Sequence, residues 1–234
     1  MICLRLDKYL WELGSRSEIK KLLKTGVVTV DGAPVKDGSF QVKDGSRVCY
    51  MGEEIIYREF IYLVMNKPQN TVSATYDKKL PVVTDLLPEE YKKFEPFPVG
   101  RLDIDTEGLL IITNDGKLSH EITSPKKQVF KKYFAVTDIP MEKSDVRLFE
   151  DGMDLGDFKT LPAKLEFTDN PNEVYITICE GKFHQVKRMC EKCGKSVTFL
   201  KRVSIGNLRL APESKPGDIY ETDKDALIEL IFNL

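Results

Sequence analysis

The sequence predicts an α+β protein in two parts, an N-terminal α-α-β module over residues 1–58 and a larger domain over 59–234 built on a central mixed or antiparallel sheet. Three observations predict this. Helical periodicity occupies the first 25 residues and then returns only in short stretches. Strand candidates dominate from residue 61 onward. Strands and helices do not alternate regularly after that point, which disfavours a doubly wound parallel sheet.

The elements follow in order. Leu6, Tyr9, Leu10 and Leu13 recur at helical spacing, and Ser15 with Glu18 three positions later is a capping box for a second helix carrying Ile19, Leu22 and Leu23. Gly26 ends that helix, because glycine enters the left-handed conformation most easily. The β-branched run at 27–30, the turn dipeptides Asp31-Gly32 and Asp44-Gly45, and the apolar stretch at 47–50 then predict a small sheet. In the larger domain, strands are predicted at 61–66, 108–113, 133–137, 163–167, 174–179 and 197–200. Helices are predicted at 118–123, 143–149, 184–193 and 224–231.

The net charge names no partner, since 35 Lys and Arg stand against 37 Asp and Glu. Local density does. Residues 16–24 hold four basic residues and one acid, 126–132 hold four lysines and no acid, and 182–202 hold seven basic residues against Glu191 alone. Each run alone is an ordinary solvated face. Three together point to a polyanion. The apolar runs are far shorter than a membrane span requires, and the chain opens on a charged amphipathic pattern, so neither a span nor a leader is expected. Cys3, Cys49, Cys179, Cys190 and Cys193 are odd in number in a chain large enough to fold without staples, which predicts reduced thiols and a cytoplasmic protein.

Nucleotide and zinc-hydrolase signatures are missing from the sequence. Cys190 and Cys193 have C-x-x-C spacing without a second pair, so they read as thiols packed on or beside the core. The densest polar segment is 100–116, with acids at Asp103, Asp105, Glu107 and Asp115. Read as a calcium loop it fails at its closing position, where Asn114 replaces a bidentate Glu. A solvated turn fits Asp105 and Glu107. It fits Asp103 less well, because Arg101 tends to keep a neighbouring carboxylate ionised.

Residues 4–50, from "RLDKYLWELG" through "GVVTVDG", resemble the S4 RNA-binding domain. The resemblance implies contact with structured RNA through the second helix, where Arg16, Lys20, Lys21 and Lys24 lie. The remaining chain carries "MNKP", "GRLDIDTEGLLIITNDG", "KKYFAV", "EGKFHQVKRM" and "LKRVSIGNLRL" in that order, and these resemble the successive motifs of the S4-carrying pseudouridine synthases of ribosomal RNA. The family's catalytic Asp falls on Asp103, its active-site Tyr on Tyr133, the basic partner of the Asp on Lys187, and the apolar residue beside the uracil on Leu200. Lys187 stands where many relatives carry Arg, which keeps the charge but not the bidentate fork. Arg101, Lys67, Arg188 and Arg202 are expected on RNA phosphates or around the everted nucleotide, with Lys126, Lys127, Lys131 and Lys132 extending the path. His184 is read as a hydrogen-bonded structural residue.

The chemistry that the resemblance implies needs no cofactor and no metal. The N-glycosidic bond opens, the uracil rotates and a C–C bond forms, with no net oxidation and no group donated. A stacked base must first be everted, at a cost of a few kcal/mol. The short chain, without a long basic tail, resembles the small-subunit branch. Its expected partner is therefore 16S rRNA or a small-subunit assembly intermediate, met as a monomer. The alternatives are a non-catalytic RNA-binding assembly factor on the same fold and, more remotely, a metal-dependent nuclease on Asp103, Asp105 and Asp115. Removing residues 1–58 should weaken RNA binding and flatten its dependence on salt, because lost phosphate contacts reduce the slope. Equilibrium binding across a salt series checks this, and an unchanged slope would contradict the docking role.

Overall fold

In the computed structural model, residues 4–232 are described and the chain forms two compact units, Met1–Glu59 and Phe60–Leu234. Cys3 lies outside the described residues. No helix among them is long and apolar enough to cross a membrane.

In the first unit, α1 (Leu6–Tyr9) gives way to a single 3-10 turn at Trp11–Leu13, so the first predicted helix is shorter than its periodicity suggests. The second, α2 (Arg16–Thr25), opens on the capping box, with Ser15 N donating to Glu18 Oε2 at 2.7 Å, and closes on Gly26 in the left-handed conformation. β1 (Val28–Val30), β2 (Ala33–Pro34), β3 (Val48–Tyr50) and β4 (Glu53–Glu54) form an antiparallel sheet in the order β2-β1-β3-β4. Leu6, Leu10, Ile19 and Leu23 bury against Val28, Val30, Val42 and Val48. Arg16, Lys20, Lys21 and Lys24 are therefore left on the solvent side of α2. Arg16, Lys20 and Lys24 line a groove of about 470 Å³ together with Arg5 and Lys36.

The second unit is built on a mixed sheet. Its main strands are β5 (Tyr62–Lys67), β6 (Glu107–Thr113), β7 (Lys131–Thr137), β8 (Lys164–Phe167), β9 (Glu173–Ile178), β10 (Val197–Ile205) and β11 (Ile219–Thr222). Their order is β8-β9-β7-β10-β6-β5-β11. Among these pairings β6 with β10 is parallel, and the others are antiparallel. β5 is buried along its whole length and β6 at all but its first residue, which is why both read as continuous apolar runs instead of alternating ones. Helices α3 (Gly116–Thr123) and α6 (Lys224–Phe232) cover one face, where Leu118, Ile122, Leu227 and Ile231 meet Tyr62, Val64, Leu109 and Ile111. α4 (Lys143–Asp151) and α5 (Gln185–Lys192) complete the unit.

The strand expected at 197–200 runs on to Ile205, and β11 was not expected at all. Lys201 and Arg202 masked the first, but the period-two rule holds through them and turns Arg202 inward with Leu200. β11 is a four-residue edge strand with one half-buried residue at each end and two exposed between them, too little apolar pattern to register. Cys190 is fully buried, and burial pushes its thiol up to about 12 and that of Cys193 up to about 11, so both are packed thiols with little nucleophilic character.

Where β6 meets β10, Gly108 pairs with Arg202 at a φ of 110°, and a Cβ on it would lie 2.2 Å from the Arg202 carbonyl oxygen. Glycine is required here by both conformation and contact. Gly108→Ala should destabilise the protein by about 2 kcal/mol or more, from left-handed strain plus backbone displacement. Urea denaturation checks this, and an unchanged midpoint would contradict the close approach.

Candidate active site

The site grows from the segment between β5 and β6. Ser73 Oγ donates to Leu102 O and accepts from Leu102 N, both at 3.0 Å, which pins the residue before Asp103. Asn70 N donates to Ile104 O at 2.8 Å, and Thr106 N donates to Asp103 O at 3.1 Å, closing a turn. Lys67 lies beneath with no exposed surface. Its Nζ donates to Pro68 O at 2.9 Å, Thr106 O at 3.0 Å and Ile104 O at 3.4 Å. Three carbonyl acceptors match the three protons of an ammonium. The loop around Asp103 is thus held at Leu102, Ile104 and Thr106, and its two carboxylates face outward.

What they face is α5. Lys187 Nζ lies 2.6 and 2.8 Å from the two carboxylate oxygens of Asp105 and 3.4 Å from Asp103 Oδ2. His184 Nε2 lies 3.5 Å from Asp103 Oδ1. Burial alone would raise the Asp105 carboxyl, but the Lys187 hydrogen bonds and charge outweigh it and hold the group below the usual carboxylate range. The Asp103 side chain is 28% exposed, on the wall of a cleft. An inner pocket of about 60 Å³ is lined by Asp103, Thr106, Tyr133, Ile178 and Leu200 among others. It shares Arg101, Asp103, His184 and Lys187 with an outer groove of about 720 Å³. Tyr133 and Leu200 come from neighbouring strands, since Tyr133 pairs with Arg202 and Ala135 with Leu200. Both are buried, so the pocket has an aromatic and an apolar wall opposite a carboxylate.

The structure therefore brings Asp103, Tyr133, Lys187 and Leu200 to one cleft, with Arg101 exposed at its mouth. Four expectations need correction. Lys67 cannot reach a phosphate, because it is fully buried and spent on carbonyls under the loop. Arg202 is 3% exposed, with Nε donating to Leu109 O at 2.7 Å, so it braces β6 from inside. Arg188 is tied to Asp157 and to Leu155 O, over the Phe158 ring. Lys131 is turned inward onto Val129 O, and burial with the nearby Arg202 charge lowers it to about 8. Two contacts were not expected from sequence. His184 faces the Asp103 carboxylate, and Asp105, solvated as expected, is also the nearest partner of Lys187. The i, i+2 spacing of Asp103 and Asp105 opposite a basic helix was the available signal.

The second unit sets a carboxylate beside a cation in a cleft with an aromatic wall, and the first, with its basic α2 face, is an S4 domain whose family model matches residues 4–48; with the match that follows, these make the chain an RNA-modifying enzyme. The chain belongs to the RNA pseudouridylate synthase family, whose model matches residues 61–192. It is 46% identical over 231 residues to the uncharacterized RNA pseudouridine synthase YtzG of Bacillus subtilis, covering 96% of this chain and 97% of that one. It is 41% identical to the ribosomal small subunit pseudouridine synthase A of Vibrio parahaemolyticus, covering 92% and 94%. A crystal structure of a pseudouridylate synthase, 33% identical, superposes with a TM-score of 0.68 over 97% of this chain and 99% of that one.

Burial lowers Lys67 from 10.5 to about 8, against the pull of Asp105, Asp103 and Glu107. Its folded pKa lies below its unfolded one, so between these values the unfolded chain holds more protons and the stability contributed by this group rises with pH. The stability of the wild type relative to Lys67→Met should therefore rise with pH across that window, by at most about 3 kcal/mol. Urea unfolding at a series of pH values measures it, and a difference flat in pH would show that Lys67 titrates as if exposed.

Proposed function

We propose that this pseudouridine synthase isomerises one uridine of small-subunit ribosomal RNA, with Asp103 as its catalytic residue. The observation that carries the reading is the Asp103 carboxylate, set between Lys187 Nζ at 3.4 Å and His184 Nε2 at 3.5 Å on the wall of a pocket whose lining includes Tyr133 and Leu200. The everted uracil packs against the Tyr133 ring and Leu200, which replace the stacking lost from RNA. Asp103, beside the Lys187 ammonium, acts on the anomeric region of the nucleotide as a nucleophile or as the base for a ribose proton. Lys187 orients the carboxylate and offsets its charge. Arg101 at the cleft mouth and the α2 face of Arg16, Lys20, Lys21 and Lys24 meet phosphates.

The small-subunit target is supported by the Vibrio relative named above, which aligns over nearly the whole chain. In this reading the domains divide at residues 58 and 59, the substrate is 16S rRNA or an early small-subunit assembly intermediate, and the protein works as a cytoplasmic monomer with reduced thiols. Asp103→Asn should abolish pseudouridine formation while RNA affinity stays within a few fold. Carbodiimide-dependent reverse-transcription stops in RNA from cells carrying each variant read out the product and locate the uridine. Persistence of the stop with Asp103→Asn would overturn the assignment, and a wild-type gene that adds no stop would favour the assembly-factor alternative.

A further inference from the structure

An exposed aromatic ring stands at the cleft mouth, and neither the fold nor the pocket accounts for it. Phe183 is 71% exposed, yet it lines the outer groove next to Asp103 and Lys187. It is not loose. Its ring stacks on His184 with centroids 3.8 Å apart and planes 18° from parallel. His184 is itself held in a left-handed conformation at the start of α5, with φ at 48°, a backbone state that a non-glycine residue keeps only when its surroundings demand it. The demand is visible. Gln185 Oε1 accepts from Lys182 N at 3.0 Å, Gln185 Nε2 donates to Glu180 Oε1 at 2.9 Å, and the same Glu180 oxygen accepts from Leu161 N at 2.8 Å. Gln185 is buried, so the turn that projects Phe183 rests on a fixed support. Leu80 and Ile104, 45% and 38% exposed, complete an apolar collar around the same groove.

Everting a nucleotide leaves a gap in the RNA stack at the point from which it came. Tyr133 and Leu200 serve the base inside the pocket and leave that gap untouched. An aromatic ring that is already one layer of a stack, at the mouth of the cleft, has the shape and chemistry to fill it. We propose that Phe183, backed by His184, is the wedge that stacks on the nucleobase flanking the target uridine and so stabilises the everted state. This rests on the pseudouridine reading of the cleft, and it assigns Phe183 a positioning role with no part in bond making.

The test uses the full-length protein and two forms of the rRNA fragment that carries the mapped target, one with the uridine paired in a helix and one with it mismatched. A mismatched base is easier to evert and needs a wedge less. Phe183→Ala should reduce kcat/KM on the paired target by about tenfold to a hundredfold and on the mismatched target by less than about threefold, while Phe183→Trp restores both. Equal losses on the two RNAs, or no loss on the paired one, would overturn the wedge. The stack is also readable without catalysis. In the Asp103→Asn background, 2-aminopurine placed beside the target should stay quenched on binding when Phe183 is present and brighten with Phe183→Ala. Brightening with both would overturn the proposal even if the cleft makes pseudouridine. A quenched probe with an Asp103→Asn protein that still makes pseudouridine would instead count against the catalytic assignment alone.

Discussion

The ammonium of Lys187 is the point on which the site depends. It joins α5 to the loop ahead of β6 by binding Asp105 at 2.6 and 2.8 Å and reaching Asp103 at 3.4 Å. Exposed ion pairs contribute little to stability, and with Asp105 63% exposed this one is no exception. Its effect is geometric. In the proposed reaction the Asp103 carboxylate meets a nucleotide, so it has to lie on the cleft wall and not collapse onto its own cation. Two carboxylates sharing one ammonium meet both needs, because Asp105 takes the close contact and leaves Asp103 near the charge without being covered by it.

The rest of the second unit can be read as support for that arrangement. Ser73, Asn70 and Lys67 hold the loop from behind through its own backbone groups, so its two carboxylates keep their direction without help from substrate. Gly108 then lets β6 approach the Arg202 backbone, in the parallel pairing that sets β6 beside the strand carrying Leu200. The buried Lys67 ammonium is satisfied by three backbone carbonyls under an acidic loop, whereas the buried Arg202 guanidinium donates from Nε to Leu109 O and keeps one Nη without a hydrogen-bond partner among the described residues.

Much of this was legible in the sequence, for reasons that differ by element. The Ser15–Glu18 capping box and the Gly26 stop are local hydrogen-bond and φ requirements, and they appear where the residues place them. Continuous apolar runs marked β5 and β6 because both strands are covered on two sides. The Asp103, Tyr133, Lys187 and Leu200 set was legible only through ordered resemblance, since no periodicity links residues so far apart in the chain. Basic side chains ordinarily keep their charge in water, and Lys67 and Arg202 do not. Lys67 follows five buried residues on a fully buried strand, and Arg202 shares a parity with Leu200; both patterns predict burial if charge is ignored. The pairing of Arg188 with Asp157, the facing of His184 to Asp103 and the capture of Lys187 by Asp105 are tertiary facts with no local signature.

The most direct test of the shared ammonium is a double-mutant cycle on single-turnover pseudouridine formation, using Lys187→Met, Asp105→Asn and the two combined. If Asp105 acts by holding Lys187 in place for Asp103, the combined variant should lose no more rate than Lys187→Met alone. A combined loss equal to the product of the two separate losses would mean that Asp105 and Lys187 act independently, and would contradict the account.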